Sequence, residues 1–392
     1  MSPPAHRWTR ATARLKVGKN VAVTLTIPAH LLPADGRFGA GPSKIRPEAL
    51  ATLAERTDVM GTSHRQAPVR ALVAEVQQML TELYQLPDDY RVVLSNGGTN
   101  AFWDVAVSSL VENVSAHGVF GEFGRKFADA CAAAPFLRET VMAEVPAGQV
   151  SVPTAVEGAD VYAWPQNETS TAASAPAVRP VGIADDALVL IDATSAAGGM
   201  AVDVTQVDGY YFSPQKNFAA DGGMWFALVN DKLIERAQRI KATERWIPPT
   251  LDFTTVVDNS AKHQTYNTPS VANLVLVAEQ ARWILDNGGL EFAVARTTES
   301  TDHLYAWAEA NPLTTPFIIN PADRSHVIAT IDFDEQVSAP ALTEVLRANG
   351  IVDIEPYRSL GPNQIRVACY TSVDPDDVRA LTNCIDWVIE HL

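Results

Sequence analysis

Several short apolar runs in this chain stop on residues that do chemistry, and this restricts the fold more than any other feature of the sequence. Tyr210-Tyr211-Phe212 breaks at Ser213-Pro214, so Gln215 and Lys216 fall on the turn that follows. Leu188 to Ile191 gives out at Asp192, and the run ending at Trp164 has Asn167, Glu168 and Thr169 at its exit. Arg91 to Leu94 meets the glycine turn Asn96-Gly97-Gly98-Thr99-Asn100, then a segment with an apolar helical face. Strands interleaved with helices read as an open α/β sheet, which places its ligands at the carboxyl ends of the strands. A lysine and an aspartate on neighbouring strand ends are the two groups that hold pyridoxal phosphate. The lysine forms the Schiff base and the aspartate keeps the pyridine nitrogen protonated.

At 392 residues the chain is long enough for two domains. A formal net charge of −16 offers no general field for phosphates, so nucleic acid is not expected as a partner and an anionic substrate needs a local basic site. With a mean hydropathy of −0.01 and no apolar run of the ~20 residues that span a bilayer, a membrane protein is not expected either. Cys131, Cys369 and Cys384 show neither metal-type nor disulfide-type spacing; buried thiols in a reducing cytoplasm are the expectation, and no metal site is expected. Residues 1 to 34 carry His6, Arg7, Arg10, Arg14, Lys16 and Lys19 with no acid, but lack the apolar core of a secretory signal. They read as a loosely ordered arm, with a transit role as the alternative.

Along the chain, the Gly- and Pro-rich stretch 37 to 47 leads into a helix from about Pro47. His64 and Arg65 lie on a loop before the helical pattern of Pro68 to Leu83, where they can bind an anion or be incidental. The glycine turn at 96–100 can serve a phosphate, through free N–H groups and the helix dipole, or simply bend the chain. Gly118, Gly121 and Gly124 surround Phe120 and Phe123 before a helix near Arg125; such a ring can stack on a planar cofactor or join the core. Residues 143 to 160 read as a surface loop with a short strand. Asn267-Thr268-Pro269 reads as the capped start of a long helix that Gly288-Gly289 closes. From about 290 the pattern becomes helix, strand, helix, strand, helix, a separate small α+β domain. Within its strand Ile365 to Cys369, Arg366 needs a partner, either a substrate carboxylate or an internal acid. The expected division is an arm (1–36), a large domain (37–288) and a small domain (289–392).

The motifs GPSK, TSHRQ, NGGTNAFW, NETSTA, IDATSAAGG, SPQKN and YNTP, in this order over residues 37 to 392, resemble the phosphoserine aminotransferase family, most closely its actinobacterial form. The family is a branch of the fold-type I, class V pyridoxal phosphate enzymes. The resemblance implies an α/β fold-type I transferase: a large domain with a mostly parallel, seven-stranded sheet between helices, and a smaller α+β C-terminal domain. It implies Lys216 as the Schiff-base lysine with Gln215 beside it, and Asp192 at the pyridine nitrogen. Thr169 is implied at the ring hydroxyl, and Gly98 and Thr99 at the phosphate. Asn267 and Thr268 would reach that phosphate from the second subunit of a homodimer. His64 and Arg65 would hold the distal anion of the substrate, and Arg366 its α-carboxylate. The sequence departs from the family in two places. Phe123 stands where much of the family stacks a tryptophan, and Tyr357-Arg358 stands for a His-Arg pair, with Arg358 at the substrate phosphate.

The implied reaction passes the amine of L-glutamate to 3-phosphohydroxypyruvate, giving O-phospho-L-serine and 2-oxoglutarate in the cytoplasm. The related ketone of the pyridoxine route is a further implied substrate. An alanine–glyoxylate or serine–pyruvate aminotransferase shares Asp192 and Lys216 without needing His64, Arg65 and Arg358 together. A catalytically silent protein of the same fold is the alternative from another class.

Overall fold

The structure, a computed structural model, describes residues 25–358 and 360–392. The basic residues of the expected arm, His6 to Lys19, lie outside the described residues. In chain order the helices are α1 (Pro47–Glu55), α2 (Ala67–Leu83), α3 (Gly98–Ser109), α4 (Glu122–Ala133), α5 (Asp231–Lys241), α6 (Phe253–Ser260), α7 (Val271–Asp286), α8 (Gly289–Ala310), α9 (Ala339–Ala348) and α10 (Pro375–His391). The strands are β1 (Tyr90–Asn96), β2 (Val114–Val119), β3 (Glu139–Glu144), β4 (Val161–Pro165), β5 (Asn167–Glu168), β6 (Ala173–Ser174), β7 (Leu188–Asp192), β8 (Gly209–Phe212), β9 (Met224–Asn230), β10 (Thr314–Pro316), β11 (Ile328–Phe333) and β12 (Gln364–Ala368).

The large sheet runs β1-β9-β8-β7-β4-β2-β3. Its pairs are parallel from β8 to β3, and β9 is antiparallel to both β8 and β1. Strands β2, β4, β7 and β8 are buried along their whole length because helices cover both faces, as parallel strands require. On one face Tyr162, Val189, Ile191 and Phe226 pack with Leu72, Val76 and Leu80 of α2 and Leu274 and Val277 of α7. On the other, Ala163, Leu190, Tyr211 and Ala227 pack with Phe102 of α3, Phe127 of α4 and Leu233 of α5. The period-two alternation of each strand divides these residues between the faces.

Register then sets the site. Asp192 ends β7 level with Pro165 of β4 and Tyr211 of β8, so the residues just beyond these strands gather along one edge of the sheet. Because β9 runs the other way, its entry at Met224 sits opposite Asn96, where β1 leaves the sheet. Lys216 follows β8 at the same edge.

The three-stranded antiparallel sheet β10-β11-β12 packs on α8, α9 and α10 through Ile331, Ile365, Val367, Leu342 and Leu381. Ile27 and Phe38 are buried in this second core, and Cys384 Sγ donates to the Leu31 carbonyl. Residues 25–36, expected as part of an arm, are therefore packed against the C-terminal unit. Among the described residues no helix is long and apolar enough to cross a membrane.

Candidate active site

The sheet edge opens into a cavity of about 340 Å³ lined by the glycine turn, Trp103, Phe123, Asn167, Thr169, Asp192, Gln215 and Lys216, among others. At one end stands the start of α3. Gly97 and Gly98 take φ of 110° and 70°, left-handed values that a side chain resists. Gly97 caps the helix without a side-chain hydrogen bond, which leaves first-turn N–H groups free at the cavity wall. The Thr99 and Thr194 hydroxyls bond each other at 2.7 Å, and Ser213 donates to the Met224 carbonyl at 2.6 Å. Free amides, a helix dipole and hydroxyls together make an anion site suited to a phosphate.

Asp192 lies deeper. Its Oδ1 accepts from the Thr194 N–H at 2.9 Å and its Oδ2 from Trp103 Nε1 at 3.2 Å. Burial raises its pKa above the ordinary carboxylate value, and these donors together with the Lys216 charge oppose the rise. Beside it, Asn167 and Thr169 both donate to Ser195 Oγ, at 2.8 and 2.9 Å.

Lys216 is held by the turn that presents it: Ala219 N–H returns to the Lys216 carbonyl at 3.0 Å and Ala220 N–H to Pro214 at 3.2 Å. The side chain of Asn217, fully buried, donates to Ser195 and accepts from the Thr371 N–H. The Lys216 ammonium donates to the Ala40 carbonyl, which also accepts from Tyr370 OH at 3.0 Å. Burial, reinforced by the Arg366 charge and offset by Asp192 and Glu168, pulls its pKa from 10.5 down to about 7.

Arg366 reaches across from β12 and donates to the Thr169 carbonyl at 3.0 Å, while its Nε is buried without a partner. Its guanidinium lies 5.1 Å from the Tyr357 ring, and that ring is 6.2 Å from Phe123. Of the two expected partners for this arginine, a substrate carboxylate or an internal acid, the second is not found: among the described residues no Asp or Glu bonds it, and Glu168 nearby is committed elsewhere. The Glu168 carboxylate accepts from the N–H groups of Phe123, Gly124 and Ser170 and from Ser170 Oγ, which fastens the start of α4 to the β5–β6 hairpin.

The expected residues divide into two groups. Gly98, Thr99, Phe123, Thr169, Asp192, Gln215 and Lys216 line one cavity, and Arg366 touches its wall through Thr169. His64, Arg65, Asn267 and Thr268 do not line it; they form a second cluster. There His64 Nδ1 and Thr268 Oγ1 lie 3.2 Å apart, and Arg65 bonds Gln264. Asn96 donates to the Thr268 carbonyl. Arg358 is exposed beside the Tyr357 ring at 5.8 Å. One correction concerns α7. Its cap is Ser270, whose hydroxyl accepts from Asn273 N–H, so Asn267, Thr268 and Pro269 precede the helix instead of starting it.

Trp103 and the Glu168 clamp were not singled out from the sequence. A tryptophan five residues into a helix that starts at a candidate phosphate turn needs a partner for its indole N–H. That requirement is the signal the sequence offers for Trp103.

The donor set fits pyridoxal phosphate. A helix N-terminus suits an anion, a buried carboxylate would hold a ring nitrogen, and a lysine with a lowered pKa lines the same cavity. Two buried acceptors of the lining, Asn167 Oδ1 and Gln215 Oε1, have no protein partner and remain free for ligand donors.

Residues 161–354 match the model of the Aminotransferase class-V family. A phosphoserine aminotransferase of Nocardioides sp. is 56% identical over 94% of this chain and 99% of its own length. A second relative, from Mycobacterium leprae, is 53% identical over 94% and 98%. The fold is also that of a phosphoserine aminotransferase from Cytophaga hutchinsonii, with a TM-score of 0.83 at 22% identity over 90% of this chain and 99% of that one. An alanine–glyoxylate aminotransferase from Nostoc sp. superposes with a TM-score of 0.75 at 20% identity over 95% and 100%. The architecture alone thus serves more than one substrate, and it is the sequence similarity that decides the membership: this chain belongs to the phosphoserine aminotransferase family of class-V aminotransferases.

Proposed function

We propose that this chain transfers the amine of L-glutamate to 3-phosphohydroxypyruvate, giving O-phospho-L-serine and 2-oxoglutarate. The observation that carries the chemistry is the convergence of Lys216, Asp192 and the start of α3 on one cavity. Bound pyridoxal phosphate supplies an electrophilic carbonyl and a ring that withdraws electrons from the substrate α-carbon. The first-turn amides of α3, with Thr99, would hold its phosphate, and Asp192 would keep the proton on its ring nitrogen. Phe123 would cover the ring, and Thr169 would meet the ring hydroxyl.

Lys216 has two tasks. With a pKa near 7, a substantial share of the amine is neutral at neutral pH, so it can act as a nucleophile; freed from the cofactor, it moves the proton at the substrate α-carbon. Arg366 receives the α-carboxylate, to which its unpartnered Nε offers a further donor.

The distal anion of either substrate falls to the second cationic group. His64, Arg65, Asn267 and Thr268 lie outside the lining of this chain's own cavity, which supports a homodimer in which they serve the partner's site. Met60 and Tyr266, both close in sequence to this cluster, leave large apolar side chains exposed on one chain. Arg358, exposed beside the Tyr357 ring near Phe123 and Arg366, would meet the substrate phosphate from this chain's own side. The phosphorylated ketone of the pyridoxine route, 3-amino-2-oxo-4-phosphonooxybutanoate, carries the same two anionic groups and fits the same scheme. Three buried free cysteines accord with a reducing, cytoplasmic setting.

The test compares 3-phosphohydroxypyruvate with 3-hydroxypyruvate as amine acceptors. A loss of kcat/KM of about 100-fold or more without the phosphate is expected from two or more charge-assisted contacts. Equal rates would assign the basic cluster no part in the reaction.

A further inference from the structure

Asp192 is backed by a dry aromatic box. Phe102 stacks on Tyr211 at 4.0 Å, Trp103 lies parallel to Phe127 at 6.1 Å, and His117 meets Phe127 edge-on at 5.0 Å. The box carries the polar atoms of Trp103, Tyr211 and His117 only at its edges. One of them, the Trp103 indole N–H, lies 3.2 Å from Asp192 Oδ2 and 3.2 Å from Tyr211 OH. Thr194 N–H takes the other carboxylate oxygen. Thr194 thus holds Asp192 from the loop side, with its hydroxyl as well as its N–H, and the Trp103 indole holds the oxygen that faces the box, so the carboxylate cannot rotate without breaking these bonds.

We infer that Trp103 is a positioning residue for Asp192: its indole N–H fixes the carboxylate against the cofactor ring nitrogen and keeps it charged, while Tyr211 OH competes as a second acceptor for that same N–H. The inference rests on the proposed binding of the ring nitrogen at Asp192. In so buried a setting, a donor to a carboxylate counts for more than at a surface. Other titratable groups surround the carboxylate: Lys216 after β8, Glu168 on the hairpin, Tyr210 and Tyr211 on β8, and His117 on β2. Only Lys216 among them brings a positive charge. His117, fully buried with no partner for Nε2, has its pKa lowered to about 3 and stays neutral. Beyond Lys216, the negative charge on Asp192 is therefore sustained by hydrogen bonds, first from Thr194 in the loop and then from the Trp103 indole in the box.

The experiment loads the full-length protein with pyridoxal phosphate labelled with 15N in the ring and follows the nitrogen shift against pH. Wild type, Trp103→Phe, Tyr211→Phe and Asp192→Asn are compared, and cofactor retention is measured by equilibrium dialysis. In Trp103→Phe the midpoint for loss of the ring proton should fall by about one pH unit, and cofactor should be retained roughly tenfold less tightly. Tyr211→Phe leaves the indole with Asp192 as its acceptor, so its midpoint should stay level or rise. That opposition of sign separates positioning from general loosening of the box. If Trp103→Phe titrates like wild type while Asp192→Asn has lost the ring proton throughout, Trp103 has no such role and the cofactor assignment stands. If Asp192→Asn also titrates like wild type, the ring nitrogen does not lie at Asp192 and both ideas fall. Should Trp103→Phe not fold, a fall of the midpoint in Tyr211→Phe is the result that overturns the inference.

Discussion

Lys216 shows how much of this site is set by desolvation. Its ammonium charge is disfavoured by burial, and the folded pKa of about 7 lies well below the ordinary 10.5. Below pH 7 the amine is charged in both folded and unfolded chains, so the cofactor-free protein carries the full penalty there. Between 7 and 10.5 the unfolded chain holds a proton that the folded one lacks, so stability rises with pH and the penalty is gone above that window. Lys216→Met should therefore stabilise the cofactor-free protein by roughly 2 kcal/mol at pH 6, with the gain fading towards pH 10 in calorimetric scans. A gain that does not depend on pH would mean that the buried charge is not its source. Gly41 bears on the same amine from the other side. It sits at φ 145°, and a Cβ there would lie 2.8 Å from Lys216 Cε and would run into Nζ. Gly41→Ala is expected to lower kcat at least tenfold and to weaken the visible absorbance of bound cofactor, with little change in substrate KM. A reduced KM-type affinity with an intact spectrum would point to the substrate pocket instead.

At the scale of elements, strand ends were legible and the supports behind them were not. Asp192 and Lys216 stand out because an apolar run that stops on a charge is easy to read. The strand β2, with Ser115, His117 and Gly118 inside a fully buried run, gives no such signal, and only its place between β3 and β4 makes it a strand. The cap of α7 was misplaced for a related reason. Asn267-Thr268-Pro269 has the composition of a helix start, but Thr265 and Asn96 take up the carbonyls of Asn267 and Thr268, so the helix begins later, at Ser270. The Glu168 clamp depends on contacts 44 and 45 residues away in sequence, between the hairpin and α4, and no local pattern encodes it. Both carboxylate oxygens face donors only, and burial still holds its pKa above the ordinary value. In Glu168→Gln an amide N–H₂ must face other N–H or O–H groups, with an expected stability loss of about 2–3 kcal/mol and a displaced Phe123. Chemical denaturation and cofactor affinity should fall together; a stable variant with unchanged affinity would show that α4 is held without this carboxylate.

The whole molecule divides its task. One chain gathers Lys216, Asp192 and the start of α3 on one cavity, while His64, Arg65, Asn267 and Thr268 stand apart in a second cluster that, in the proposed function, serves a neighbour. The motifs marked all of these residues, and the resemblance assigned Asn267 and Thr268 to a second subunit, but for His64 and Arg65 no local pattern says which copy a residue serves. Coexpression of Lys216→Ala with Arg65→Ala tests the sharing. Mixed dimers should recover roughly half of wild-type activity per dimer if Arg65 works in the partner's site, because one site is then intact. Recovery no better than the parent variants would place Arg65 in its own chain's site. The central claim is narrower: this cavity handles a phosphorylated amino acid through a cofactor held by Lys216 and Asp192. Its most direct test mixes the pyridoxal phosphate-loaded protein with O-phospho-L-serine, and separately with L-alanine, and follows the absorbance of the bound cofactor as it accepts the amine. Rapid and complete conversion by O-phospho-L-serine, with little by alanine, is the predicted result; conversion by alanine but not by O-phospho-L-serine would contradict it.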